Sequence, residues 1–189
     1  MLITYMSNMF VITPLYINVI FMFWKLDISA EGIPSFARFW ISTWFCYIVE
    51  DFIFYWAHRL LHEPKFYWIH KKHHKNVNTF HLACVYTHWI EYLLGVVFPL
   101  FAGAMILQQN IHITSVVAAT AFRIIETHES HGGIEFEYSL FQIYPYMVDT
   151  AFHNFHHLKN QGNFGTYWIL WDKLFKTDEV FFKTVEITD

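Results

Sequence analysis

Cysteine is scarce in this chain: Cys46 and Cys84 are the two present among 189 residues. They form no C-x-x-C or C-x-x-C-H spacing, which argues against thiolate metal sites and covalently attached haem. Cys46 lies inside an apolar run and reads as a small core residue. Charge is scarce as well, at 15% of residues, against about a quarter in soluble domains. The formal net charge is −4, so nucleic acid has no electrostatic support as a partner. No G-x-G-x-x-G or other nucleotide-binding loop occurs, and the chain is not expected to bind NAD(P)H itself. Met1 to Trp24 carries no charged side chain. Without a positive leading region or a small-residue cleavage site, that stretch reads as a membrane span and not as a cleaved signal.

What the chain has in excess points to the bilayer. Hydrophobic residues make up 55%, aromatics 21%, and the mean hydropathy is +0.27. The length suits one domain covering residues 1–189. Four apolar runs are long enough to be read as spans, at about residues 5–25, 39–57, 89–107 and 111–127. The fourth is the weakest, being short and carrying Arg123. Gln108-Gln-Asn110 marks a tight hairpin between the last two. Lys and Arg concentrate between the second and third spans and after the fourth, which places both regions on the cytoplasmic side. The fold expected is therefore all-α: an integral membrane helical protein of about four transmembrane helices. A histidine-rich helical cap, 58–88 and 128–178, lies on its cytoplasmic face.

Thirteen histidines are the compositional anomaly. His58 and His62 are four apart. His70 precedes His73 and His74 by three and four residues, and His153 precedes His156 and His157 in the same way. Residues three and four apart share one helix face, so each cluster can aim its rings at one point from one helix. Imidazole is a good ligand for zinc, copper, iron and nickel. Eight histidines in three regular boxes exceed what one ion can use, and suit two. His88 and His131 lie at the ends of the third and fourth spans and could reach the same place. His81 and His128 lie nearby but outside the boxes, and His112, in the opposite loop, reads as structural. Glu50, Asp51, Glu126 and Asp172 are candidates to orient ligand imidazoles through their second ring nitrogen. Helix capping or interfacial solvation explains each of the four equally well.

The stretch Glu50-Asp-Phe-Ile-Phe-Tyr-Trp-Ala-His-Arg-Leu-Leu-His62, the two H-x-x-H-H boxes and the segment Gly162 to Asp178 resemble the fatty acid hydroxylase and sterol desaturase superfamily. Within it they are most similar to the 4-methylsterol oxidase branch. The resemblance covers about residues 50–178. Family members carry a longer region before the first box, and Asn76 to Thr87 departs from the branch pattern. Carried over residue by residue, the resemblance implies ten metal ligands: His58, His62, His70, His73, His74, His88, His131, His153, His156 and His157. It implies two iron ions, for which zinc can substitute in a purified sample. It implies hydroxylation or desaturation of a membrane lipid, a sterol in this branch, with O2 and electrons from cytochrome b5 or an NAD(P)H-dependent reductase. It also implies residence in the endoplasmic reticulum. The alternatives are a fatty acyl hydroxylase or a non-catalytic subunit that keeps the fold. A haem cytochrome would need isolated histidines on opposing helices. A metal transporter would place its ligands deep within the spans.

Overall fold

A computed structural model of the chain describes residues 1–134, 138–139 and 146–188. Among these residues the fold is all-helical. Strand pairing is confined to two isolated bridges, Asp27 with His112 and Met147 with Trp168.

Helix α1 runs as Leu2–Ser7, a wide π turn Asn8–Ile12, and Thr13–Phe23. Pro14 lacks the N–H that would continue the ordinary ladder. The π turn absorbs the break, and the Thr13 hydroxyl donates to the Asn8 carbonyl at 3.0 Å. Helix α2, Phe36–Leu61, begins where Ser35 Oγ accepts from Arg38 N. No proline or glycine interrupts it. It therefore runs straight through the expected span and carries the first histidine box at its end.

After the one-turn helix α3, Tyr67–His70, come two short 3-10 turns, His73–Lys75 and His81–Val85. Helix α4 comprises Trp89–Glu91, a π stretch Tyr92–Val97, and Phe98–Leu107. Helix α5 is Ile113–Ser130, α6 is Thr150–Lys159, α7 is Leu170–Phe175 and α8 is Glu179–Thr188.

Among the described residues two segments are long and apolar enough to cross a membrane: Leu2–Met22, of 21 residues, and Trp89–Asn110, of 22. At about 1.5 Å per residue each matches a hydrocarbon core of about 30 Å. Helices α2 and α5, expected as the second and fourth spans, carry buried charge instead. The guanidinium of Arg123 on α5 lies 2.8 Å from Glu50 of α2 and 3.0 Å from Glu126. It also donates to Thr166 at 2.7 Å and to Thr127. Asp51 accepts from the Tyr167 amide at 2.9 Å and from the Trp171 indole at 2.7 Å. Glu50 and Asp51 thus do not solvate at an interface. Both are buried and tie α2 to α5 and to the segment after α6.

Helix α2 packs along α4 and α5. Gly103 makes the close approach to α4 possible, since a Cβ there would fall 2.6 Å from the backbone of Cys46. Small residues let helices meet this closely. Cys46 is buried in the resulting core with Ile20, Trp24, Ala104 and Val116. The bundle therefore presents the C-terminal end of α2, the start of α4 and the end of α5 at one level. Helix α6 is laid across that level.

Candidate metal centre

Helix α6 starts where Asp149 accepts from Phe152 N at 2.6 Å, and it stops at Asn160 in the left-handed region (φ 57). That short, capped helix delivers His153, His156 and His157 to the ends of α2 and α5. Nine of the ten expected ligands come together there in two sets. His58, His62, His70, His74 and His156 form one, and His73, His131, His153 and His157 the other. Each residue offers one ring nitrogen, and within a set these atoms lie within 4.8 Å of one another.

The second ring nitrogens show what the first ones face. His58 Nδ1 donates to the Phe164 carbonyl at 3.0 Å, and His156 Nδ1 to the Gly162 carbonyl at 2.6 Å. His131 Nδ1 donates to the Thr127 carbonyl at 2.9 Å. His70 Nδ1 lies 2.7 Å from Glu91 Oε1. A carbonyl only accepts, so these Nδ1 atoms hold the ring proton and each Nε2 is left with a bare lone pair. The bare Nε2 of His58 faces that of His70, and those of His156 and His131 face His74 and His153, whose ring protons no carbonyl fixes. His58 and His70 are 3.2 Å apart, His70 and His74 2.9 Å, and His74 and His156 3.2 Å. In the second set His131 and His153 are 2.9 Å apart, and His153 and His157 3.1 Å. Converging lone pairs repel unless a cation lies among them. His62 Nε2 and His73 Nδ1 are buried with no hydrogen-bond partner. The donor set fits a metal ion in each group.

Electrostatics agree. Burial, before the neighbouring imidazoles, holds His58, His70, His73, His131, His153 and His156 well below the ordinary histidine value. Burial likewise lowers His62 and His157 to about 4. A neutral ring is the form that binds metal, and at neutral pH all of these are neutral.

The boxes do not each aim at one point, contrary to the expectation from spacing. His73 and His74 divide between the two sets, as do His156 and His157. Adjacent residues point about 100° apart in the α-helix of His156 and His157 and about 120° apart in the 3-10 turn of His73 and His74. An H-x-x-H-H box therefore serves two neighbouring centres, with one of its last two rings turned to each. The second box is also not one helix, because α3 ends at His70 and a 3-10 turn carries His73 and His74.

His88 belongs to neither set. Its Nδ1 accepts from Ile90 N at 3.2 Å and caps α4, and its ring sits against Trp68 and Trp89. His81 is exposed, and His128 Nδ1 donates to the Ile124 carbonyl. His112 caps α5.

The four expected orienting carboxylates make no hydrogen bond to a ligand ring. Glu50 and Glu126 hold Arg123, and Asp51 holds Tyr167 and Trp171. Asp172 accepts from the amides of Phe164 at 2.8 Å and Gly165 at 2.6 Å. It fixes the loop whose Phe164 carbonyl orients His58, and burial pushes its carboxyl up to about 6. Among the described residues, the carboxylate that does touch a ligand ring is Glu91. Its signal in the sequence was an acidic residue just inside an apolar run.

A cavity of about 60 Å³ adjoins both sets. It is lined by His58, His70, His73, His131 and His153 together with Phe54, Leu61, Gly95 and Val96.

Among the described residues the fold and site define an all-helical protein with two buried, all-imidazole groups, each able to hold a metal ion, beside apolar helices. A family model described as "Fatty acid hydroxylase" matches residues 43–177, and the chain belongs to that family. Methylsterol monooxygenase 1 of Danio rerio is 32% identical over 163 residues, which is 85% of this chain and 55% of the relative. Methylsterol monooxygenase 2-2 of Arabidopsis thaliana is 32% identical over 159 residues, 80% of this chain and 57% of the relative. Very-long-chain aldehyde decarbonylase GL1-8 of Oryza sativa subsp. japonica is 34% identical over 145 residues, 74% of this chain and 53% of the relative. The chain thus spans about half the length of the curated relatives it matches. No solved structure matches it.

Proposed function

We propose that this chain is a membrane-bound di-iron oxygenase that oxidises a sterol-like lipid, with His58, His62, His70, His74 and His156 holding one iron and His73, His131, His153 and His157 the other. The observation that carries this is the opposition of the Nε2 lone pairs, with the Nδ1 protons engaged on carbonyls and on Glu91. Iron bound there supplies the activation of O2 and the electron transfers needed to oxidise an unactivated C–H bond. The chain's own residues do the rest. Thr127, Gly162 and Phe164 fix the ring directions through their carbonyls, and Glu91 fixes His70 by accepting its Nδ1 proton. Burial keeps the rings neutral, and the apolar wall of Phe54, Leu61 and Val96 excludes water from the reacting carbon.

The reading includes a single membrane domain of four spanning helices with the histidine cap toward the cytoplasm. An endoplasmic reticulum location follows from likeness to the methylsterol monooxygenases. Electrons come from a separate acidic donor such as cytochrome b5 or its reductase. The exposed Lys65, Lys71 and Lys75 beside the histidine cap support that docking by charge. The similarity to an aldehyde decarbonylase keeps a long acyl chain as the second substrate class.

The test is metal analysis of purified protein combined with lipid profiling of cells with and without it. Iron near two per chain and a changed 4-methylsterol pool are expected. Unchanged iron after replacement of His73 or His156 by Ala would refute the ligand set. A changed acyl-aldehyde or hydroxyacyl pool would move the substrate to the second class.

A further inference from the structure

Two glycines of α4 differ in what surrounds them. Gly103 is demanded by packing: a Cβ there would meet the Cys46 backbone at 2.6 Å. Gly95 is also buried, yet a Cβ there would meet only Leu61 Cδ1 at 3.8 Å and Glu91 Cγ at 3.9 Å, which are ordinary contacts. Glycine weakens a helix relative to alanine, and no protein atom requires it at position 95. What lies beside it is the cavity that reaches both imidazole sets.

The backbone here is also unusual. Gly95 sits within the π stretch Tyr92–Val97, whose first residue is anchored by Tyr92 Oη at 2.8 Å from Thr13 Oγ1. Glu91, one residue earlier, is anchored on His70. Pro99 lies two residues past the stretch, as Pro14 lies two past the π turn of α1, and its missing N–H accounts for the wide turn in the same way. The cavity holds about 60 Å³ and reaches both imidazole sets.

We propose that Gly95 is the specificity-determining residue that sets how large a substrate group can reach the two imidazole sets. This rests on lipid oxidation at that centre. The empty side of Gly95 is the seat of the carbon to be oxidised, and Leu61 and Glu91 bound it on either side. A Cβ at position 95 takes space from that group while meeting only Leu61 and Glu91.

The test uses the full chain in lipid nanodiscs, as wild type, Gly95→Ala and Gly95→Leu, with a 4,4-dimethylsterol and its 4-monomethyl counterpart as probes. Three quantities are read: iron per chain, equilibrium binding of each sterol to iron-stripped protein, and kcat and KM of the loaded protein. Both variants should retain wild-type iron. Gly95→Leu should weaken binding of the dimethylsterol and lower its kcat/KM, each by more than about tenfold. Gly95→Ala should shift preference toward the monomethyl sterol, and adding Leu61→Ala to Gly95→Leu should recover part of the loss. Wild-type binding and turnover of both sterols by Gly95→Leu overturns the proposal. So does loss of iron in step with activity, which would make Gly95 a packing residue. Should Gly95→Leu not fold, the preference of Gly95→Ala decides. Binding to iron-stripped protein reads Gly95 even if the centre proves not to oxidise lipids. That failure would show instead in the iron content and in the His73 and His156 variants.

Discussion

His73 and His74 are neighbours in the chain and face different centres. His74 Nε2 lies 2.9 Å from His70 Nε2 and 3.2 Å from His156 Nε2, while the His73 ring sits 4.6 Å from that of His157.

That division predicts separable metal loss. His73→Ala should lower bound iron toward one per chain by emptying the four-imidazole set. His74→Ala should do the same at the five-imidazole set, where four rings remain, with the smaller loss of affinity. Metal analysis of each variant and of the double variant checks this. If either single change strips both irons, the two sets are one cooperative site.

Glu91 acts on metal through His70. Glu91→Gln keeps the shape and can still accept the Nδ1 proton, but removes the carboxylate that raises the ring's basicity. Losing such a partner costs about 10–100-fold in metal affinity. Competition with a chelator should show a faster loss of iron from one set, while Glu129→Gln, on a half-buried side chain of α5, leaves it unchanged.

The metal-free protein should lose stability on mild acidification. His62 and His157 titrate at about 4 when folded, against about 6.5 when unfolded. Between those values the unfolded chain takes up protons that the folded one refuses, so stability falls as pH drops from about 6.5 to about 4. Above about 6.5 neither state is protonated and these two groups contribute no slope. Each contributes roughly 1.4 kcal/mol per pH unit within the window. Thermal unfolding of iron-stripped protein between pH 7.5 and 4.5 reads this. A midpoint that does not move would contradict the burial of these rings. In loaded protein the same protonation competes with the metal, so iron release should begin lower than the unperturbed histidine range.

Arg123 is the hub joining α2 to α5 beneath the second imidazole set. Its buried guanidinium is 2.8 Å from Glu50 and 3.0 Å from Glu126. Arg123→Met leaves two buried carboxylates without their cation, a change that costs about 3–5 kcal/mol. Folded yield and thermal midpoint in detergent should drop sharply. The triple change to Arg123→Met, Glu50→Gln and Glu126→Gln should recover much of the loss. Equal stability of Arg123→Met and wild type would mean that the network is not buried in solution.

The sequence alone indicated the all-helical class, the first and third apolar runs as segments long enough to cross a bilayer, and nearly all the rings that cluster. Composition and period suffice for these, because an uncharged run of span length and an i, i+3, i+4 repeat are local properties. That eight imidazoles exceed what one ion can use was also legible, and the described residues gather the rings in two groups. What the sequence did not carry was direction. It assigned each box to one point, whereas the step of about 120° between His73 and His74 in a 3-10 turn, and of about 100° between His156 and His157 in α6, sends them to separate sets. It offered Glu50, Asp51, Glu126 and Asp172 as ring partners, with capping or interfacial solvation as equal alternatives. Only the packing of α2 on α4 and α5 decided that Arg123 takes two of them, that Asp51 and Asp172 hold the segment after α6, and that Glu91 reaches His70 instead. Likewise His88 and His131 look equivalent at the ends of two apolar runs. Their difference lies in the helix end each one meets: His131 closes α5 facing His153, while His88 opens α4 and spends a ring nitrogen on its cap. Contacts of this kind depend on which helices meet, and that is a property of the assembled bundle and of no single stretch of the chain.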